Sequence, residues 1–158
     1  MKLATKMWMV VAALAIHGTT IAGTVPAATP TAASASSGDK CIDNAQTQTA
    51  MDECASNSLQ VADKELNQVY QQVLTKYASD KVFIAKLRLA QEAWITFRDA
   101  ELEARYPASN KSGEYGSVYP MCADNELEAM TRQRIEELRM WLKSVKEGET
   151  CVGSYSNS

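Results

Sequence analysis

The stretch Ala90–Glu101, AQEAWITFRDAE, puts an indole, a phenyl ring and three carboxylates, one of them in an Arg-Asp pair, within twelve residues. Carboxylates in such numbers raise the question of glycoside hydrolysis. That chemistry needs two acids facing each other across a cleft at a set separation, and a single helix does not supply the opposing wall. Read as a helix, the stretch brings Gln91, Trp94 and Arg98 to neighbouring positions three and four residues apart, with the guanidinium over or beside the indole. Asp99 falls about 100° further round and is expected to pair with another helix. Gln91, Trp94, Arg98 and Asp99 therefore read as a structural set, and no catalytic residue is assigned.

Other chemistry is scarce. The single histidine, His17, lies in an apolar leader, and the four cysteines, Cys41, Cys54, Cys122 and Cys151, show no CxxC spacing. A zinc set lacks its imidazoles, and a catalytic thiol lacks an activating base. No metal and no cofactor is expected, and the chain does not read as an enzyme.

The leader opens with Lys2 and Lys6, then runs MWMVVAALAI from Met7 to Ile16. About ten apolar residues are too few to span a bilayer, which takes roughly 20. Residues 1–22 are read as a secretory signal peptide, with cleavage as late as residue 27. No cysteine follows to accept a lipid, so the expected product is soluble, periplasmic or secreted, with no membrane insertion after cleavage. Removing the leader takes 16 basic against 19 acidic residues to 14 against 19, a formal charge of −5. That balance gives no electrostatic footprint for nucleic acid. Residues 23–39 are Ala, Thr, Ser and Pro with almost nothing to bury, and are expected to be a flexible spacer. The folded domain is placed at 40–151, with a disordered tail over 152–158.

Three helical patterns must position everything else. The first spans about 49–77, opening on Thr49 and Asp52, with Ala62, Leu66, Val69, Tyr70, Val73 and Tyr77 on one face. The second spans about 81–105, with Asp80 as N-cap and Phe83, Leu87, Ala90, Trp94, Phe97 or Arg98, and Leu102 facing inward. Pro107 ends it. The third takes Asp124 as N-cap, carries Leu127, Met130, Arg134 or Ile135, Leu138, Leu142 and Val145, and stops before Gly148. The expected class is all-α, an antiparallel three-helix bundle built on a helical hairpin and stabilised by disulfides. Cysteine order leaves the connectivity open. Reach across an antiparallel bundle favours Cys54 with Cys122, which leaves Cys41 with Cys151.

Between the second and third helices lies ASNKSGEYGSVYP. Lys111, Ser112, Glu114, Tyr115, Ser117 and Tyr119 have the composition of an adaptable recognition surface, and are the candidate target-binding residues. An ordinary solvated connection, stapled by Cys122 just after it, has the same composition.

Five pieces in order carry a resemblance: CIDNAQTQTAMDECA, ADKELNQVYQQVL, AQEAWITFRDAE, GSVYPMC and TRQRIEEL. Together they resemble the N-terminal domain family of LprI-type lysozyme inhibitors. Leu102 stands where members usually carry a cysteine, so the family's disulfide pattern does not transfer residue by residue. The resemblance implies an all-helical, disulfide-bonded exported protein that binds and inhibits lysozyme. The leading reading is therefore a binding protein that occludes a lysozyme or related peptidoglycan hydrolase. A non-catalytic envelope assembly factor that binds a protein or the cell wall is the alternative, and a hydrolase ranks last.

Overall fold

The computed structural model describes residues 37–146 and 148–155, with side chains from Lys40 onward. The leader, most of the spacer and residues 156–158 lie outside the described residues. The described secondary structure is entirely helical: α1 (Ser37–Asn44), α2 (Gln48–Lys76), α3 (Lys81–Arg105), α4 (Lys111–Tyr115) and α5 (Tyr119–Met140).

Local signals explain the helix starts unevenly. Asp80 caps α3 as its sequence position demands, its Oδ1 accepting from the Phe83 N–H at 2.9 Å. At α2 the cap is Thr47 and not Thr49. Its Oγ1 accepts from the Ala50 N–H at 3.1 Å, while Gln48 donates to Asp52 at 2.8 Å. α5 begins more than a turn and a half ahead of the expected start, with Val118 and not Asp124 at its N-cap. Val118 caps it without a side-chain hydrogen bond, and Pro120 sits in the first turn, where a missing N–H breaks no helical bond. It ends at Met140, well short of Gly148.

α2 and α5 lie side by side along most of their length. The seam of α2 is Ala55, Ser58, Ala62, Leu66, Val69, Val73 and Tyr77, spaced three and four apart. Its small first half lets the helix backbones approach closely. Its larger second half joins Phe83, Leu87, Ile135 and Leu138 in the hydrophobic core. Tyr77 at the end of α2 meets Trp141 just past α5 at a centroid distance of 6.1 Å. Glu65 pairs with Arg132 at 3.5 Å and with Arg139. α2 and α5 therefore point the same way, and these ion pairs fix their register.

α3 runs against both. Phe83 from its first turn meets Tyr77 at 4.3 Å and Trp141 at 4.8 Å, whereas Arg105 from its last turn pairs with Glu126 near the start of α5 at 2.6 Å. Only Phe83, Leu87 and Gln91 of α3 are buried. Ala90 and Phe97, read as inward-facing, are exposed, and of the pair Phe97 or Arg98 it is Arg98 that turns inward. On α5, Leu127 and Met130 are half-buried, while Ala123, Glu128, Thr131, Ile135 and Leu138 are buried.

The disulfide pairing differs from expectation. Cys41 bonds Cys54, with Cα atoms 5.7 Å apart, and Cys122 and Cys151 are free thiols. The expected pairs Cys54–Cys122 and Cys41–Cys151 are excluded because Cys54 is already taken. The physical reason is α1. It starts inside the segment read as spacer, turns back through Ala45–Thr47 and lies against α2, which brings Cys41 onto Cys54 over a separation of only 13 residues. The tail is partly placed too, with the Tyr155 ring against Trp141 at 4.3 Å.

Candidate functional site

The segment between α3 and α5 is a built structure. Tyr106 closes α3, its N–H donating to the Leu102 carbonyl at 3.0 Å, and Pro107 prevents continuation. Asn110 then caps α4, its Oδ1 accepting from the Gly113 N–H at 3.1 Å. The position of that cap favours glycine at residue 113, because a Cβ there would meet the Asn110 carboxamide and force the cap to move. Gly116 ends the turn at φ +76°, in the left-handed region open to glycine.

Three tyrosines hold this segment from inside. Tyr106, Tyr115 and Tyr119 form a ring cluster with centroid separations of 5.2, 5.2 and 6.0 Å. The Tyr115 hydroxyl accepts from the Ala108 N–H at 3.1 Å, tying α4 back to the end of α3. Lys111 completes the cluster. Its Nζ donates to Glu103 at 2.7 Å and to the Tyr106 carbonyl at 2.6 Å, and lies 6.0 Å from the Tyr119 ring centre. The Glu103 hydrogen bond raises the Lys111 pKa above its ordinary 10.5, so the ammonium is charged throughout the neutral range.

The six candidate residues therefore divide. Lys111, Tyr115 and Tyr119 are half-buried and spend their polar groups and rings within the segment. Ser112, Glu114 and Ser117 are exposed, and their side chains make no hydrogen bond or ion pair among the described residues. The result is a short, braced edge that presents small polar groups and one carboxylate. Tyr106 and Asn110 were missed in the sequence. Each had a faint signal: a tyrosine directly before Pro107, and an asparagine three residues ahead of a glycine.

The second set, Gln91, Trp94, Arg98 and Asp99, sits at the junction of α2, α3 and α5. Arg98 donates to Asp99 at 3.1 Å through both Nε and Nη2, and its Nη1 lies 3.5 Å from Asp63 of α2 and from the Thr131 hydroxyl of α5. Asp99 thus binds its own neighbour rather than another helix, because the long Arg98 side chain folds back to it. The Arg98 and Arg134 guanidinium carbons lie 5.4 and 6.0 Å from the Trp94 ring centre. Arg134 also donates to the buried Gln91 carboxamide at 3.1 Å and to Glu137 at 2.9 Å. The charges here are consumed by one another, which is the arrangement of a helix-locking junction.

Among the described residues no group of three or more His, Cys, Asp or Glu could hold a metal ion. No described helix is long and apolar enough to cross a membrane.

The sequence pattern of the family described as "Lysozyme inhibitor LprI" matches residues 41–138. An uncharacterised protein of Rhizobium meliloti (strain 1021) is 32% identical over 105 residues, covering 59% of this chain and 72% of that protein. No solved structure matches. The family match takes in both ends of the disulfide, the Trp94–Arg98 junction and the whole braced edge.

Proposed function

Because the chain belongs to the LprI family of lysozyme inhibitors, we propose that it binds a peptidoglycan-cleaving lysozyme and inhibits it by covering the cleft. In this reading α2, α3 and α5 form an antiparallel scaffold, and the working surface is the edge built by α4 and its two flanking turns. The observation that carries the reading is the division of labour there. Lys111 and the three tyrosines fix the edge, and Ser112, Glu114 and Ser117 are left free to meet a partner. A surface braced before binding loses less conformational entropy on binding.

Charge supports the same partner. Lysozymes are commonly basic, and the chain without its leader carries 14 basic against 19 acidic residues, so encounter is favoured electrostatically. The apolar leader and the Cys41–Cys54 bond support export to an oxidising compartment, where such a target is met. The protein acts here by occlusion, without a cofactor and without chemistry of its own.

A cell-wall clearing assay tests this. Titrated against lysozymes of several types, the oxidised protein is expected to inhibit at least one saturably. The variant Ser112→Ala/Glu114→Lys/Ser117→Ala should lose at least tenfold in potency with unchanged helicity. Undiminished inhibition by that variant would remove the α4 edge from the mechanism. Absence of inhibition of every lysozyme type would remove the function.

A further inference from the structure

The outer side of α3 is unusual for a helix facing water. At about 100° per residue, Val82, Leu89, Ala93, Phe97, Ala100 and Ala104 fall within about 40° of one line. The buried Phe83, Leu87 and Gln91 lie on another side, centred about 120° away. All six stripe residues are exposed, with Val82 at 72%, Leu89 at 59% and Phe97 at 56%. The only charge within the stripe is Lys86.

Charge along the helix is as ordered as the stripe. The first half of α3 carries Lys81, Lys86 and Arg88 and no acid, while the second carries Glu92, Asp99, Glu101 and Glu103. The two basic residues of the second half are already engaged, Arg98 by Asp99 and Asp63 and Arg105 by Glu126 of α5. A helix that is basic at one end and acidic at the other complements an inverted copy of itself.

We propose that this face docks on the same face of a second copy of the chain, the two α3 helices running antiparallel about a two-fold axis near Ala93. Such an interface is isologous, so each favourable contact occurs twice. In this register Phe97 of one copy lies over the small Ala90 of the other, and Leu89 lies over Thr96. Ala93, Ala100 and Ala104 let the backbones approach. Lys86 comes opposite Glu101, and among the described residues neither has an ion-pair partner within its own chain. A contact of this length, about 37 Å by roughly 11 Å, covers on the order of 400 Å² per copy. A standard stable interface covers about 800 Å² per copy, so the dimer exchanges reversibly and does not persist at high dilution. The proposal is independent of the lysozyme reading.

The test is sedimentation velocity of protein expressed from the full chain, from low micromolar to near-millimolar concentration. The Cys151→Ser background removes any dimer made through that exposed thiol. Expected is a monomer that shifts to dimer as concentration rises. Lys86→Glu and Glu101→Lys, each alone, should weaken dimerisation at least tenfold, because each sets like charges opposite one another at both contacts. Their equimolar mixture should restore a heterodimer, because every such contact then joins opposite charges. A protein that stays monomeric throughout overturns the proposal. So does a mixture that fails to dimerise beside a dimeric parent. If Leu89→Glu instead abolishes lysozyme inhibition in a monomeric parent, the stripe serves a target and the second copy is excluded.

Discussion

The molecule holds a mutually packed triad of aromatic rings at each end, one of them extended by Tyr155 on Trp141, and the two do opposite work. At one end Tyr77, Phe83 and Trp141 pack with centroids 4.3–6.1 Å apart. At the other, Tyr106, Tyr115 and Tyr119 pack at 5.2–6.0 Å. The geometry is nearly the same, and burial separates them. Tyr77 and Phe83 are below 10% exposed and join α2, α3 and α5 into one core, with the Tyr77 hydroxyl donating to the Trp141 carbonyl at 3.2 Å. The three tyrosines are half-buried, reach no further than α3, α4 and the start of α5, and carry hydroxyls suited to a wet boundary. One cluster supports the whole fold. The other shapes a single edge, and at the end it occupies Cys41–Cys54 ties α1 to α2 while Arg105–Glu126 ties α3 to α5.

Truncation separates these roles most sharply. Phe83→Ala removes a ring that touches both other members of the core cluster, and should destabilise by about 3–5 kcal/mol in urea or thermal unfolding. The same truncation at Tyr115 should cost far less globally while reducing lysozyme inhibition. Equal losses of stability would erase the distinction between the two ends. Next in size is the covalent staple. Replacing Cys41 and Cys54 together with serine opens a loop of 13 residues and should cost about 2–3 kcal/mol. The loss should appear first as hydrogen exchange in α1 and the first turns of α2, with the aromatic core still protected.

Legibility in the sequence follows the same division. α3 could be bounded to the residue, because both its signals are local: the Asp80 carboxylate reaching the Phe83 N–H, and Pro107 barring continuation. The all-helical class was legible for a related reason, since period-3.6 stripes need no partner to be seen. α1 was not legible. Its sequence, SGDKCIDN, has almost nothing to bury, and it is held by packing on α2 and by a disulfide. α5 started early because Val118 offers no side-chain cap to recognise. Glu128 and Thr131 are buried in preference to Leu127 and Met130 because contacts with other side chains satisfy them: Arg132 meets the Glu128 carboxylate at 2.8 Å, and Arg98 approaches the Thr131 hydroxyl. At the α4 edge, composition did not reveal which residues brace the segment and which stay exposed. Bracing depends on Glu103 in α3 and on Tyr106 just past its end, so no window confined to the loop contains it.

The braced edge can be probed without touching a ring. Gly113→Ala puts a methyl group where the Asn110 carboxamide sits, so the cap must swing away. The expected cost is about 1 kcal/mol, the typical worth of an N-cap. Asn110→Ala should cost about the same, and the double variant should cost no more than either single one, because both remove one interaction. Additive losses, measured by denaturant unfolding of all three variants, would show that Gly113 is needed for something other than this cap.

The smallest expected effect lies at the same end of the molecule, where α2 and α5 begin. Burial raises the Asp124 pKa above its ordinary 3.8, and the nearby Asp52 carboxylate adds to the shift. The folded state therefore holds this proton more tightly than the unfolded chain does. Stability contributed by Asp124 falls as pH rises from about 3.8 through the raised folded value. Above that value the charged carboxylate is a small standing cost. Asp124→Asn keeps the shape and removes the charge, so it should raise the melting temperature slightly at neutral pH and leave it unchanged below pH 3.8. A parent and variant whose difference runs the other way would mean that the Asp124 carboxylate helps to anchor α5.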